Sequence, residues 1–575
     1  MASDFERREE NDGLTLKLWR GEGMSLLGFD LERDSVTPQF VGFAVRCKHP
    51  GAADFVELSN RIAFHYTGAN AGKKFFPTSK APYQKFRWVH FPREVVPGDY
   101  RYEVTAMYST DPTDPEGSLR KGAIVEAAVS LAPTTFEGFL NVGFTRGFAS
   151  SQAYADKFNN NANIIPPPGA AAPAEINFAT ASHQREYKWL GFEARRLIFA
   201  TLDAAVDDPS VTVDAMIYEA REGDVFRKFA ALGSRLRVLI DDHDEQGDPT
   251  SNETTAANML SAAGAEVKRL HFGRQQHNKV IIVRRNGTPV KVVAGSTNFS
   301  LRGLYIQANN VLVFDDAPIA RLFDQVFEAY WDDPSRFRRN ALAKSWHVMR
   351  DLPGSRYSFC FSPHTEADTD MSLAPVSTAI EEAESSVLYA VVFLNQLGGR
   401  VREALDDLMR RELFSFGVAQ RVGGLMVEKP DGSRGLLPFD YLGDQAPEPF
   451  KSEWHSNAPA GSRSNVVHHK FIVTDFNGAH PQVFTGSSNL ASGGENQNGD
   501  HIIRIEDRKV AIAYAIEALR MFDHFHFRVK TREGDQHNQK ITLKGPPTSA
   551  NQRAWWHTSY LNGHVKARDR ILFST

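Results

Sequence analysis

The sequence predicts an α/β protein, a duplicated αβα unit preceded by an N-terminal β-sandwich. Three observations carry this. Short alternating apolar runs, cut by Gly, Pro and Asp turns, fill the chain from about Leu14 to Leu131. From about Ile176 the pattern changes to alternating helices and strands, the signature of a mostly parallel or mixed sheet covered on both faces. That pattern then restarts, and a string of His, Lys, Gly, Ser and Asn recurs in both copies.

In order, residues 1–140 read as an Ig- or fibronectin-like sandwich. In VPGDYRYEVTAMY, residues Tyr100, Tyr102, Val104 and Ala106 share one strand face by period two. Residues 141–175 read as a connector, Gly- and aromatic-rich and then rich in Asn, Pro and Ala. Residues 176–340 form the first α/β half. In it SHQREYKWLGFEARRLIFATLDAA is a helix, VTVDAMIYEA and RLRVLIDD are strands, and APIARLFDQVFEAYW is the closing helix. Residues 341–530 form the second half, opening with a connector to about Pro375 and closing on RKVAIAYAIEALRMFDHF. Residues 531–575 are a tail whose Trp555 and Trp556 are expected to pack on the body.

Bulk composition narrows the class. The 575 residues are 42% hydrophobic and 24% charged, with a formal net charge of -4. That is a globular composition of several domains with no global attraction for polyanions. Two distant cysteines, Cys47 and Cys360, and a charged start, MASDFERREENDG, lead to the expectation of a reducing, cytoplasmic setting without a disulfide scaffold. No apolar run is long enough to span a bilayer, so contact with lipid would be peripheral.

The recurring string carries the chemistry. HNKVIIVRRNGTPVKVVAGSTNFSLRGLYIQANN, from His277, lies without a gap over HHKFIVTDFNGAHPQVFTGSSNLASGGENQNGDH, from His468. His277 matches His468, Lys279 matches Lys470, Ser296 matches Ser487 and Asn298 matches Asn489. Residues i and i+2 of a strand face one way, so His468 and Lys470 point together and His469 points opposite, where Asn278 is its counterpart. Asn286-Gly287 and Asn477-Gly478 read as turns that return Gly-Ser-x-Asn beside the His and Lys. One His, one Lys and one Asn from each half suit phosphoryl chemistry. A neutral imidazole attacks phosphorus, and the second, protonated, serves the leaving oxygen. Lysines and amides neutralise the equatorial oxygens, so neither metal nor cofactor is expected.

This paired HxK…GSxN pattern resembles the phospholipase D superfamily, whose signature is HxKxxxxD followed by GSxxN or GSxN. The resemblance covers roughly residues 176–530. It implies two halves packed as an internal pseudo-dimer, hence a monomer. It also implies His277 as nucleophile and His468 as acid/base. The second copy is complete with Asp475, whereas the first has Arg284 there. The family's acid after the GSxN turn maps to Asp500, expected beside His468, and its first-half equivalent is Asn309, expected beside His277 with Gln307 nearby. A carboxylate raises an imidazole's pKa and an amide does not, so this pairing also makes His468 the acid.

The expected activity is phosphoric diester hydrolysis, first as phospholipase D-type lipid degradation or transphosphatidylation. A nuclease or DNA-end phosphodiesterase stands second, since tyrosyl-DNA phosphodiesterases of the superfamily also lack the motif Asp and use an amide beside the first His. A non-catalytic polyanion-binding scaffold, supported by Arg284 alone, stands third. Two other stretches read as ordinary surface or core rather than cation sites, the acidic loop Asp241–Asp248 and the DHFHFR run from Asp523, while Arg274 in HFGRQQH reads equally as a contact to a substrate phosphate or as surface charge.

Overall fold

The computed structural model describes residues 5–132, 138–147, 152–167, 170–394, 397–421, 424–430, 433–438, 466–536 and 540–575. Two large mixed sheets dominate. The first has seven strands, in the order Leu140–Phe144, Asn310–Phe314, Thr288–Gly295, Lys279–Arg285, Val211–Ile217, Leu236–Asp241 and Glu266–Leu270. The second has eight, in the order His347–Leu352, Ser355–Phe361, His501–Asp507, Gln482–Gly486, Lys470–Thr474, Ser386–Val391, Phe414–Ala419 and Leu436–Pro438. Apart from the extra edge strand His347–Leu352, the orders correspond strand for strand. In each sheet three strands run parallel and the motif-bearing strands antiparallel.

Local chemistry explains the elements. Parallel neighbours need a crossover, and two helices supply it in the first sheet, Gly223–Leu232 and Asn252–Ala262. Their first turns are capped by Glu222, which accepts from the Val225 N–H, and by Ser251, which accepts from the Thr254 N–H. The helices Ala317–Asp332 and Arg508–Gln536 follow the last strand of each motif and bind the sheets together. Phe323 packs edge-on against Phe359 and Phe361 of the second sheet, and Tyr514 against Phe144 of the first. One continuous apolar cluster includes Ile282 and Phe314 of the first sheet with Phe471 and Ile503 of the second. The seam is built like a domain interior.

Ahead of this body, two four-stranded antiparallel sheets enclose their own core. Tyr100, Tyr102, Val104 and Ala106 are all fully buried in or beside it, as period two requires. The C-terminal segment closes that core. Trp555 donates to the Phe40 carbonyl, Trp556 is buried, and Trp19 donates to the Phe573 carbonyl at 3.1 Å.

Three expectations about elements need correction. Residues 141–144, read as connector, complete the strand Leu140–Phe144 of the first sheet, where Gly143 lets helix Gln184–Asp207 lie close. The stretch 341–375 is a hairpin of the second sheet followed by the helix Thr369–Glu381, which carries Pro375 inside it. Helix Gln184–Asp207 is kinked at Phe192, whose φ is 43°.

Candidate active site

Both motif histidines precede their strands and are fixed by the opposite half. The His277 N–H donates to the Gly499 carbonyl at 2.8 Å, and the His468 N–H to the Ala308 carbonyl at 3.1 Å. Parallel bridges Gln276–Gly499 and Ala308–Val467 extend this exchange. The seam therefore draws both imidazoles into one cluster, together with Lys279 and Lys470 two residues along. All four side chains are buried.

The acceptors cross as well. His277 Nδ1 lies 2.8 Å from Asp500 Oδ1, and His468 Nδ1 lies 2.8 Å from Asn309 Oδ1. The sequence reading paired Asp500 with His468 and Asn309 with His277, and this is corrected: each acceptor serves the histidine of the other half. The reason is topological. Each acceptor opens the last strand of its own sheet at the seam, facing across it. Each is held alike, Asn309 by Ser296 Oγ at 2.9 Å and Asp500 by Ser487 Oγ at 2.7 Å. Their backbone N–H groups donate to Thr145 and Ser362, which match in position. The Asn309 amide is oriented by its Nδ2, which donates to the Gly303 carbonyl, so Oδ1 accepts from His468. A carboxylate only accepts, so Nδ1 of His277 carries a proton toward Asp500.

The return strands end on glycines that admit close backbone. Gly295 has φ 128° and Gly486 φ 141°, and a Cβ would stand 2.6 Å from the Asn310 carbonyl oxygen and 2.3 Å from that of His501. Asn298 and Asn489 follow, and the Oδ1 of each has no hydrogen-bond partner among the described residues. His469 points away from His468, as period two requires. It contacts Glu517 at 3.2 Å and Asn310 at 3.3 Å.

Burial dominates the electrostatics. It lowers His277 to about 4, against the opposing pull of Asp500, and it lowers His468 well below the usual imidazole value, with Lys470 and Lys279 adding to the shift. Lys279 falls to about 7 and Lys470 well below its ordinary value, again from burial first. Asp500 is held below the usual carboxylate range by His277 and Lys279 in spite of its burial.

Asp475 and Arg284 do not join the cluster. Asp475 accepts from the backbone N–H groups of Glu384, Ser385 and Ser386. Arg284 pairs with Asp214 at 2.7 Å and Glu328 at 2.8 Å. Five residues past Lys279 on one strand, Arg284 stands about 17 Å away. The hairpins differ there. Asn286-Gly287 makes a two-residue turn with both φ positive, so residue 284 stays in the strand. The second strand ends at Thr474, and Asp475 turns with φ 47°. Asp214, Asp324 and Glu328 converge as metal ligands do. Arg284 and Arg237 already occupy their oxygens, so the group fits an ion-pair cluster rather than a metal centre.

Sequence reasoning missed three residues. The Tyr218 ring stands edge-on to His277 with centroids 4.8 Å apart, and Lys279 Nζ lies 4.7 Å above it. Glu219 receives side-chain hydrogen bonds from Ser300 and Asn298 and is held below its usual range, despite burial, mainly by Arg221. Asp241, from the acidic loop, accepts from the Gln276 N–H at 2.5 Å and so fixes the approach to His277. Burial pushes Asp241 up to about 8. Arg274 is exposed, and Asp523 is engaged by Arg87 at 2.5 Å.

Comparison with known proteins follows this geometry. The family described as "Cardiolipin synthase, PLD-like domain" matches residues 203–331, which span the first motif and Asn309. Over these residues the chain carries a phospholipase D-like domain. A search of curated proteins finds no match. Among solved structures, the phospholipase D family member Nuc from Salmonella typhimurium is 26% identical, covering 24% of this chain and 87% of its own, with a TM-score of 0.21. Phosphatidylserine synthase from Haemophilus influenzae is 12% identical over 67% of this chain and 94% of its own, TM-score 0.39. Yeast tyrosyl-DNA phosphodiesterase is 11% identical over 52% and 84%, TM-score 0.31. That phospholipase D-like domain supports an enzyme acting on phosphodiesters. Among the described residues no helix is long and apolar enough to cross a membrane.

Proposed function

We propose that this chain cleaves or transfers a phospholipid phosphodiester through a covalent phosphohistidine, using its two α/β halves as an internal pseudo-dimer and its N-terminal sheets as a β-sandwich module. The crossed pair of imidazoles supports this reading above all else. Each has its Nδ1 directed at an acceptor from the other half, which leaves the Nε2 of His277 for attack, while the Nε2 of His468 lies 3.2 Å from Lys470 Nζ, in a cluster with two lysines and two asparagines.

His277 is the nucleophile in this reading. Its Nε2 lone pair attacks phosphorus, the bond from phosphorus to the leaving oxygen breaks, and His468 gives that oxygen a proton. Phosphorylation at Nε2 with a proton at Nδ1 makes the ring cationic, and Asp500 faces that charge. The carboxylate thus marks the nucleophile, not the acid: the role expected for His277 is kept, on a different ground. His468 then takes a proton from water or an alcohol, which attacks phosphorus and frees His277. Lys279, Lys470, Asn298 and Asn489 hold the phosphoryl oxygens. The bound diester's negative charge raises His468 toward the protonated form that the first step requires.

The lipid preference rests on the description of the matching family, which names cardiolipin synthase, and on a net charge of -4. The scaffold reading loses its support, because Arg284 belongs to an ion-pair cluster remote from the imidazoles. Choline release from phosphatidylcholine vesicles, measured beside cleavage of single-stranded DNA and both in EDTA, tests the substrate class. Lipid cleavage alone is expected. DNA cleavage alone makes the protein a nuclease, and loss of both with phosphate-analogue binding retained revives the scaffold. Trapping with labelled substrate, quenched in denaturant at alkaline pH where the P–N bond survives, is expected to map phosphate to His277. Label on His468 reverses the roles.

A further inference from the structure

A second cavity, of about 790 Å³, lies between the N-terminal sheets, the kinked helix Gln184–Asp207 and the later turns of helix Arg508–Gln536. That size is within the range of about 300–1,000 Å³ typical of small-molecule sites. None of the six twin-motif His, Lys and Asn residues lines it. Part of its wall is aromatic, including Phe75, Trp88, Phe91 and Trp189. The rest is cationic, with six Arg and Lys side chains against two carboxylates. Both carboxylates are engaged, Asp156 by Arg61 at 3.4 Å and Asp523 by Arg87 at 2.5 Å.

Arg146 is the unbalanced charge. It is 6% exposed, and the rings of Phe91, Trp189 and Phe192 surround its guanidinium at 4.2, 4.6 and 4.6 Å. One nitrogen donates to the Pro92 and Arg93 carbonyls at 3.2 Å, and Nε has no partner among the described residues. No carboxylate forms an ion pair with it among those residues. Burial, with Arg520 adding to it, pulls Arg146 down to about 9. Glu94 and Glu193 act on it only from beyond ion-pair distance, so the caged guanidinium lacks a direct counter-ion, which is costly, and an incoming anion relieves that cost. Phe192 reaches the cage from a backbone at φ 43°, a strained position for an aromatic residue.

We propose that this cavity binds a single-chain anionic amphiphile, with its phosphate or carboxylate head on Arg146 and its chain along Phe75, Trp88 and Phe91. The site adjoins the catalytic support without being part of it. Thr145, next in the chain, accepts from the Asn309 N–H at 2.9 Å, and Arg520 donates to the Arg146 carbonyl at 3.4 Å.

Titration calorimetry on the full chain tests this, with dodecyl phosphate, dodecanoate, dodecyltrimethylammonium and inorganic phosphate, each detergent below its micelle concentration. With vanadate filling the catalytic cluster, dodecyl phosphate is expected to saturate at one per chain, and dodecanoate binding alongside it identifies a site that reads charge rather than phosphate. Dodecanoate failing to bind narrows the head to phosphate, still on Arg146. Inorganic phosphate should bind at least about tenfold more weakly and the ammonium compound not at all. Arg146→Gln should weaken dodecyl phosphate by about tenfold or more. Phe75→Ser, at the cavity rim, should weaken it about threefold and keeps the test valid if Arg146→Gln fails to fold. The double variant Lys279→Ala, Lys470→Ala should bind it as wild type does. Binding lost in that double variant but kept in Arg146→Gln overturns the proposal, as does equal binding of the cationic amphiphile.

Discussion

Asp500 and Asn309 are matched in position and differ by one group, a carboxylate against an amide, and in the proposed mechanism that difference divides the labour of two imidazoles. Asp500→Asn keeps an acceptor for the His277 Nδ1 proton but removes the charge facing a phosphorylated ring. It is expected to lower kcat by about 10²-fold or more, by analogy with general acid–base and electrostatic effects, with little change in KM. Asn309→Ala frees His468 to rotate and should slow leaving-group departure, so substrates with a good leaving group should be rescued. The same kcat loss with every leaving group would contradict that role. The lysines yield a separate expectation. With Lys279 lowered to about 7, and Lys470 also lowered well below its ordinary value by burial, the empty site holds fewer than two ammonium charges at neutral pH. An entering phosphate raises both, so binding should take up protons. Calorimetry of vanadate or phosphate in buffers of different ionisation enthalpy measures that uptake, and zero uptake at pH 7.5 would sink the burial argument.

At the scale of elements, the two hairpins show how a shared motif diverges without harming the site. The two-residue turn keeps Arg284 in its strand, so it satisfies Asp214, which is 2% exposed. Arg284→Met leaves Asp214 to Arg237 alone and takes from Asp324 its ion-pair partner, and should cost about 1.5–3 kcal/mol. Asp475→Ala removes an acceptor of three backbone N–H groups, at about 1.5–3 kcal/mol. Both losses belong to denaturant midpoints. KM should stay unchanged in either variant, and a shift in it would tie the residue to substrate. Much of this was legible from spacing: the strands, the tight turn at Asn286-Gly287 and the glycines that allow close approach. Glu219 was not. Ile217 and Val391 pair with Lys279 and Lys470 in the same register, so the match of Glu219 is Phe393, and nothing repeats to reveal it.

Across the whole molecule, the shared core between the sheets predicts one unfolding transition for both halves. Acid should weaken it early. Burial lowers His277 and His526 to about 4 and His90, His501 and His524 to about 3. The unfolded chain binds these protons near pH 6.5, before the folded chain does. Asp241, Glu222 and Asp324, raised to about 8, 7 and 6 by burial, hold protons in the folded state and oppose this, but the five rings outnumber them, so below about pH 6.5 the unfolded state holds more protons and stability falls as pH falls. Denaturant midpoints at pH 7, 6 and 5 should decline steadily, and a flat series would contradict the burial of these rings.

Strand period and an ungapped duplication were enough to pick out the candidate site residues, because they mark polar side chains at fixed spacing. Which acceptor serves which histidine became visible only in three dimensions. The partners lie across a seam between halves, where distance along the chain has no bearing on distance in space. The tertiary structure alone also brought Glu219 and Tyr218 to the site and set Arg146 in its aromatic cage, since those contacts join segments that share no repeat.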